Sequence, residues 1–171
     1  MLLHAGTINR LGRVDDGTTV GDADPDERTR HQSLALHAVS FEWQGLTVND
    51  SKFAPEGSGF RLTTGPAALY WSPANTGKGD FSVKATFTEA KQTYNHPHPF
   101  GVFIGGAGLD SATPAVLYCA AYRNGNFIIR GFSGGKRFDV VAKPTPNAAV
   151  KTAASADKEV HHEVGWNVRG D

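Results

Sequence analysis

A short polar loop carries the densest set of side chains that could do chemistry. It runs from Tyr94 to Pro99 and reads YNHPHP. In an extended segment His96 and His98 point to the same side, an arrangement that can offer two imidazoles to zinc or copper. No third ligand is identifiable by spacing, so we predict no metal site. Two other interpretations are a rigid loop bracketed by prolines and a sugar-contacting loop. In the second, Tyr94 would stack on a sugar ring and Asn95 would bond its hydroxyl groups.

Aromatic side chains elsewhere in the chain form a second candidate surface. They are Tyr70, Trp71, Tyr118, Tyr122 and Trp166. Aromatic rings on an open sheet face can stack on sugars, but most aromatic residues of a β-sandwich fill the space between its sheets. We therefore assign most of them to the core. The candidate carbohydrate-binding residues are Tyr94, Asn95, His96, His98, Tyr118 and Trp166.

Three other titratable groups near the carboxyl end do not make a catalytic set. His161 and His162 are adjacent, so in a strand they point to opposite faces, and Glu163 is a lone carboxylate. Glycoside hydrolysis needs two carboxyl groups at a defined separation. The single cysteine, Cys119, excludes an intrachain disulfide and lies in an apolar run, which predicts a core residue. We expect no catalysis by this chain.

The charge balance and the apolar runs limit the possible partners. Seventeen basic and seventeen acidic side chains cancel, so no overall field attracts nucleic acid. No apolar run approaches the roughly 18 residues that span a bilayer, so we expect no membrane segment. The amino terminus, MLLHAGTINR, lacks the apolar core and cleavage pattern of a secretory signal. The sequence thus predicts a cytoplasmic protein.

The elements that would position these side chains are short strands. The stretch Phe81 to Gly106 reads as two antiparallel strands joined by the histidine loop, and its first half alternates apolar and polar residues at a period of two. Such runs recur at short spacing, which predicts an all-β antiparallel sandwich or barrel. The predicted strands are Phe60 to Thr64, Ala67 to Ser72, Phe81 to Glu89, Phe100 to Gly105, Ala115 to Tyr122, Phe127 to Phe132, Arg137 to Ala142 and Val160 to Arg169.

Two glycine-containing turns predict how three of these strands connect. Asn124 and Gly125 stand between two apolar runs, and Gly134 and Gly135 come directly after the second of these runs. Residues of these types tolerate positive φ and favour tight hairpins. We therefore predict a three-strand meander from Ala115 to Ala142. Its first strand is apolar on both faces, which is typical of a central strand covered on both sides.

The larger part of the chain, residues 50–171, resembles a known superfamily. The resemblance rests on three segments, GPAALYWSPANTGKGDFSVKATFTEAKQTYNHPHPFGVFIGGAGLD, LYCAAYRNGNFIIRGFSGG and HHEVGWNVRGD. They are similar to the concanavalin A-like lectin/glucanase superfamily, in the branch near the DUF1080 or 3-keto-disaccharide hydrolase-like domains. This resemblance implies a jelly-roll β-sandwich associated with carbohydrate, whose relatives are often secreted. The family continues into further strands after the position of Arg169. An incomplete edge strand is a template for another chain, so we expect self-association.

Residues 1–49 resemble a different family and form the predicted short, mixed N-terminal appendage. The segment LLHAGTINRLGRVDDGTTVGDADPDERTRHQSLALHAVSFEWQGLTVN is similar to the stretch that follows the phosphate loop in translational GTPases of the elongation factor G type. The resemblance implies that its charged part corresponds to switch I. Ser33 matches the hydroxyl residue that ligates the magnesium of bound GTP. Ala38 to Trp43 and Leu46 to Asn49 match the family's next two strands.

The phosphate-binding motif of that family does not occur in this sequence. GxxxxGK[ST] supplies the backbone cradle and the lysine for the β- and γ-phosphates, and the segment ANTGKGD offers only Gly77 and Lys78. We therefore expect no nucleotide hydrolysis. The first interpretation is a non-catalytic β-sandwich module that binds carbohydrate and needs no cofactor. The alternatives are a fragment related to elongation factor G, with GTP and magnesium as ligands and a role in translation, and a fused or truncated reading frame without a selected activity.

Overall fold

The chain folds into β-strands throughout the part that the structure describes. This computed structural model describes residues 2–4, 37–40, 52–56, 59–63, 67–71, 75–93, 97–111 and 113–170. No helix occurs among these residues, so the all-β prediction is confirmed for them. Their strands are β1 Leu2–His4, β2 His37–Ser40, β3 Lys52–Glu56, β4 Gly59–Thr63, β5 Ala68–Trp71, β6 Phe81–Glu89, β7 Phe100–Ala107, β8 Ala115–Ala121, β9 Asn126–Ser133, β10 Lys136–Pro146 and β11 Val160–Val168.

The main sheet joins strands from both ends of the chain. Within the described residues its order is β10-β9-β8-β7-β1-β5-β2. The strands β8, β9 and β10 form the predicted antiparallel meander, with Val116 opposite Phe132 and Arg137 opposite the same Phe132. Gly134 and Gly135 both have positive φ, 56° and 76°, in the tight turn before β10. The strand β8 lies between β7 and β9, which confirms its central position.

The strand β1 departs from the antiparallel pattern. It lies between β5 and β7 and runs parallel to both, with Leu2 opposite Leu69 on one side and Gly101 on the other. The strand β2 is antiparallel to β5. Both strands come from residues 1–49 and lie in the main sheet. The predicted boundary near residue 50 stays a prediction, and the second half of the predicted amino-terminal hairpin lies outside the described residues.

A two-stranded ribbon, β6 with β11, is separate from the main sheet. The two strands are antiparallel over nine residue pairs, from Val160 opposite Glu89 to Val168 opposite Phe81. The prediction that Phe81 to Gly106 forms one antiparallel strand pair is therefore wrong, because β7 pairs with β8 and β1 instead. The alternation predicted for the first half of this stretch was correct, but alternation does not identify the neighbouring strand.

The ribbon packs on one face of the main sheet. Its apolar side chains, Ala85, Phe87 and Val164, form a buried cluster with Val102 of β7 and Ala121 of β8. Each strand of the ribbon buries every second residue and exposes the others, as the period-two pattern predicted. Full burial of a side chain such as Val102 contributes about 1.5–3 kcal/mol to folding.

The opposite face of the main sheet holds a second apolar cluster. It consists of Leu69, Trp71, Phe103, Leu109 and Val116, with Tyr118 and Phe132 packed against it. The division follows from the register, because Phe103 lies opposite Tyr118 while its neighbour Val102 lies opposite Cys119. A central strand in this sheet therefore has apolar residues on both faces.

A sandwich or a jelly roll is not confirmed by this arrangement. In the described part of the chain the layer over the main sheet is the β6–β11 ribbon, and a third small sheet pairs β3 with β4. In the β3–β4 hairpin Arg61 donates hydrogen bonds to Glu56, which lowers the pKa of that carboxyl. The edge strand β10 exposes Phe138 and Val140. Self-association through a sheet edge stays a prediction.

Candidate functional site

The structure describes only part of the predicted site. Tyr94, Asn95, His96 and Ser33 lie outside the described residues, whereas His98 is described and exposed. Within the described ranges, no group of three or more His, Cys, Asp or Glu side chains could hold a metal ion. The same ranges contain no helix that is long and apolar enough to cross a membrane.

Tyr118 lies on the face of the main sheet that the ribbon does not cover. Its ring stacks on Phe132, with centroids 6.4 Å apart and planes at 19°. Arg130 is its cross-strand partner on β9. Partial burial raises the pKa of the Tyr118 hydroxyl, and the nearby Arg130 charge opposes that rise. At neutral pH this tyrosine is therefore a neutral hydrogen-bonding group beside a cation.

An ion pair continues this face from Tyr118 toward the edge of the sheet. Arg130 Nε lies 2.9 Å from Asp139 Oδ1 on β10. The Nε–H is not aimed at that oxygen and makes no hydrogen bond, so the contact is electrostatic. Arg130 Nη2 donates instead to the Ala142 carbonyl at 2.9 Å, and Arg137 donates to Asp139 at 3.2 Å. Asp139 is thus shared by two arginines.

Trp166 lies on the other side of the main sheet. It belongs to β11 and packs against the cluster under the ribbon, and its indole Nε1 donates to the Val102 carbonyl at 3.2 Å. Tyr118 and Trp166 are therefore separated by the sheet and are not brought together in one site. The preference for core positions agrees with Trp166 and with the buried Tyr70 and Trp71.

The two adjacent histidines point to opposite faces of β11, as the sequence predicted. His161 is exposed, with Nδ1 2.8 Å from Thr88 Oγ1 and Nε2 2.8 Å from Glu159 Oε1. His162 is buried and donates from Nε2 to the Lys151 carbonyl at 2.9 Å. Glu163 pairs with Lys84 rather than with either imidazole. The three groups form no acid–base pair.

Cys119 is a free thiol in the middle of β8. It packs against the cluster under the ribbon, and this burial raises its pKa. A raised pKa keeps the group as the thiol at neutral pH, and the thiolate is the reactive form. The sulfur therefore behaves as a small apolar side chain here.

A buried arginine was not identified from the sequence. Arg123 is 3% exposed and its Nη1 lies 3.0 Å from Glu89 Oε1 at the end of β6. Its Nη2 donates to the carbonyls of Ser155 and Lys158, at 3.1 and 2.6 Å. The only signal in the sequence was an arginine directly before the Asn-Gly turn, because its acceptors, one carboxylate and two backbone carbonyls, all lie far along the chain. This arginine fixes the segment that precedes β11.

An open cleft of about 540 Å³ lies beside this arginine. One wall is the Asn-Gly turn between β8 and β9, and the other is the end of β10 with the loop after it. Its lining residues are Asn124, Gly125, Pro146, Asn147, Ala148, Val150, Lys151 and Thr152.

Comparison with known proteins identifies relatives for part of the chain. A 44-residue stretch is 48% identical to the mitochondrial ribosome-releasing factor 2 of Vanderwaltozyma polyspora, which covers 26% of this chain and 6% of that protein. The corresponding protein of Yarrowia lipolytica is 47% identical over 49 residues, 29% of this chain and 6% of its own length. Elongation factor G 2 of Streptomyces coelicolor is 31% identical over 128 residues, 68% of this chain and 18% of that protein.

The chain therefore spans less than a fifth of the length of each of these relatives. The matches support the elongation factor G-like resemblance, and the match to elongation factor G 2 is longer than residues 1–49, to which that resemblance was assigned. No family model and no solved structure matches the chain. None of the comparisons supports the concanavalin A-like resemblance or the association with carbohydrate.

Proposed function

We propose that this chain is a non-catalytic β module that acts in translation without hydrolysing GTP itself. It is related through its amino-terminal part to translational GTPases of the elongation factor G type. The observation that carries the proposal is the similarity to ribosome-releasing factor 2 and elongation factor G 2. Their names connect those relatives with the ribosome and with elongation. From these names we infer that the partner of this chain belongs to the translation apparatus.

The absence of hydrolysis follows from the chemistry of phosphoryl transfer. That reaction depends on positioning and on neutralising the charge of the phosphates, which a glycine-rich backbone cradle, a lysine and a magnesium ion do together. The 171 residues contain no GxxxxGK[ST] motif. Ser33 would supply one hydroxyl ligand to magnesium, and a single oxygen does not hold a nucleotide.

The strands of residues 1–49 support an architectural role for this segment. β1 lies between β5 and β7, and β2 extends the sheet beyond β5. Removing β1 would leave the facing edges of β5 and β7 without their hydrogen-bonding partner. The described strands of this segment, β1 and β2, therefore contribute backbone pairing to the main sheet.

Titration with a fluorescent GTP analogue in the presence of magnesium tests the absence of nucleotide binding. We expect no saturable signal, and the Ser33→Ala variant should behave like the unchanged chain. Micromolar binding that Ser33→Ala weakens would contradict the proposal.

Co-sedimentation with purified ribosomes tests the partner. We expect the chain to sediment with ribosomes to the same extent with and without GTP. Recovery of the chain entirely in the supernatant would contradict the role in translation, while leaving the nucleotide result unaffected.

A truncation tests the architectural role. A chain that lacks residues 1–40 loses β1 and β2, and we expect its thermal unfolding midpoint to fall by several degrees, because β1 joins the two halves of the main sheet. Replacing residues 5–36 by a flexible linker while keeping β1 and β2 is the control and should retain the midpoint. Equal midpoints for the truncated and unchanged chains would contradict the role.

A further inference from the structure

The cleft beside the Asn-Gly turn has a rigid floor. Gly125 is buried at its base with φ of 84°. A Cβ at this position would lie 2.6 Å from Thr152 Oγ1, so the turn and the loop are in direct contact. Asn124 and Thr152 form a β-bridge there. Only a glycine permits this close approach together with the positive φ.

Hydrogen bonds fix the loop that forms the second wall. The backbone N–H of Asn147 donates to the Gly125 carbonyl at 3.1 Å, and its side-chain Oδ1 accepts the N–H of Ala149 at 2.9 Å. Further along, the Ala153 N–H donates to the Arg123 carbonyl at 2.8 Å. From below, His162 donates to the Lys151 carbonyl at 2.9 Å. The walls are therefore positioned before any ligand arrives, which reduces the entropy cost of binding.

Apart from the Thr152 hydroxyl, which can donate or accept, the polar side-chain groups that remain for a ligand are donors and one cation. Asn124 and Asn147 use their side-chain oxygens to accept backbone N–H groups, which leaves the amide Nδ2 groups as donors. Lys151 is exposed and forms no ion pair with a carboxylate in the described part of the chain. No acidic residue lines the cleft. Its charge therefore suits a ligand with a single negative charge and several acceptor oxygens.

The remaining lining is apolar. Pro146, Ala148 and Val150 contribute carbon surface beside the donors. A ring with C–H groups on one side and hydroxyl and carboxylate oxygens on the other matches this combination of carbon surface and donors. The volume of the open cleft, about 540 Å³, lies in the range of small-molecule sites. A multiply charged phosphate ester fits less well, because one lysine does not neutralise its charge.

We propose that the cleft between the Asn124–Gly125 turn and residues 146–152 is a binding site for a small hydroxylated monocarboxylate of the sugar-acid class. Lys151 pairs with the carboxylate, and the amides of Asn124 and Asn147 donate to ligand oxygens. This proposal goes beyond the proposed function and does not rest on it, because it is argued only from the geometry and charge of the residues that line the cleft.

Titration of the full chain with D-glucuronate, followed by amide chemical shifts in NMR, tests the site. D-glucose is the matched control ligand, because it has the same ring without the carboxylate. We expect saturable shifts at residues 124–125 and 147–152, with glucuronate binding about two- to fivefold more tightly than glucose, because Lys151 is exposed and an exposed ion pair supports only a difference of that order. Equal affinity for the two sugars, or shifts confined to other residues, would overturn the proposal.

Two lysine variants separate a specific pairing from general attraction. Lys151→Met should reduce the affinity for glucuronate to that for glucose. Lys136→Met removes an exposed lysine in the β9–β10 hairpin and should leave the affinity unchanged. Equal losses in both variants would overturn the site, as would tighter binding of inorganic phosphate than of glucuronate.

Discussion

The two ion pairs of β6 have nearly the same length and very different surroundings. Glu89 lies 3.0 Å from Arg123, and the exposed fractions of the two side chains are 15% and 3%. Lys84 lies 3.1 Å from Glu163, with exposed fractions of 47% and 61%. Water screens the second pair but not the first. Distance alone therefore does not determine how much a charged pair contributes to the stability of this fold.

The buried pair is held by more than its two charges. Arg123 donates to two backbone carbonyls besides the carboxylate, so its desolvation is compensated by hydrogen bonds. These carbonyls belong to Ser155 and Lys158, in the segment that leads into β11. The pair therefore ties the end of β6 to that segment, whereas the Lys84–Glu163 pair lies across two strands that already share a full ladder.

Breaking the buried pair should have the largest effect. In Arg123→Met, two backbone carbonyls and the Glu89 carboxylate, whose side chain is only 15% exposed, lose their donor. We expect a loss of about 3–5 kcal/mol in the free energy of unfolding, measured by urea denaturation.

The double variant Arg123→Met with Glu89→Leu is the control for that prediction. Removing both charges leaves no unpaired carboxylate, so stability should recover by a large part of the loss. A single variant that loses less than about 1 kcal/mol would mean that the buried pair behaves like an exposed one.

An intermediate effect is expected where the ribbon meets the main sheet. Trp166→Phe retains an aromatic ring but removes the Nε1 donor to the Val102 carbonyl. We expect a loss of about 1–2 kcal/mol in the same urea experiment, from the hydrogen bond and the smaller ring together. An unchanged midpoint would show that water replaces the indole donor at no cost.

Breaking the exposed pair should have the smallest effect on stability. Lys84→Ala is expected to change the free energy of unfolding by no more than about 0.5 kcal/mol, and this change should shrink further in high salt. Glu163→Ala is the matched variant on the other strand and should behave alike. A loss comparable to that of Arg123→Met would remove the contrast between the two pairs.

The protection of the Cys119 thiol by the ribbon can be measured without a substitution. Because burial raises the pKa of Cys119, alkylation by iodoacetamide at neutral pH should be much slower in the folded chain than in the urea-unfolded chain. The rate should rise with pH as more thiolate forms. Mass spectrometry that finds equal rates in the two states would show that the ribbon does not protect the thiol.

The sequence predicted the strands well where the pattern was local. The bounds of β6 agree with the alternation from Phe81 to Glu89, and the Asn124-Gly125 and Gly134-Gly135 turns fixed the meander of β8 to β10. Turn geometry determines the pairing of strands that are adjacent in sequence. It gives no information about a strand whose partner lies far along the chain.

The parts that could not be predicted all depend on distant contacts. Nothing in the residues of β6 identifies β11 as its partner rather than β7, because alternation determines which face of a strand is buried and not which strand lies beside it. Tyr118 and Trp166 were equivalent aromatic candidates until the register placed them on opposite sides of the main sheet. Two of the three acceptors of Arg123 are backbone carbonyls, which every residue carries, so no residue type could have indicated them.

The position of β1 has a consequence for how the sheet is assembled during synthesis. Leu2 pairs with Gly101, roughly a hundred residues later in the chain. At roughly 5–20 residues per second, a ribosome delivers that partner strand about 5–20 s after β1. Over this interval the backbone groups of β1 that face β7 must bond to water or to temporary neighbours, although β5 arrives earlier on the other side. Pairing along this second edge of β1 is therefore timed by the arrival of β7, and slowing synthesis between β1 and β7 would prolong the period in which β1 can pair wrongly.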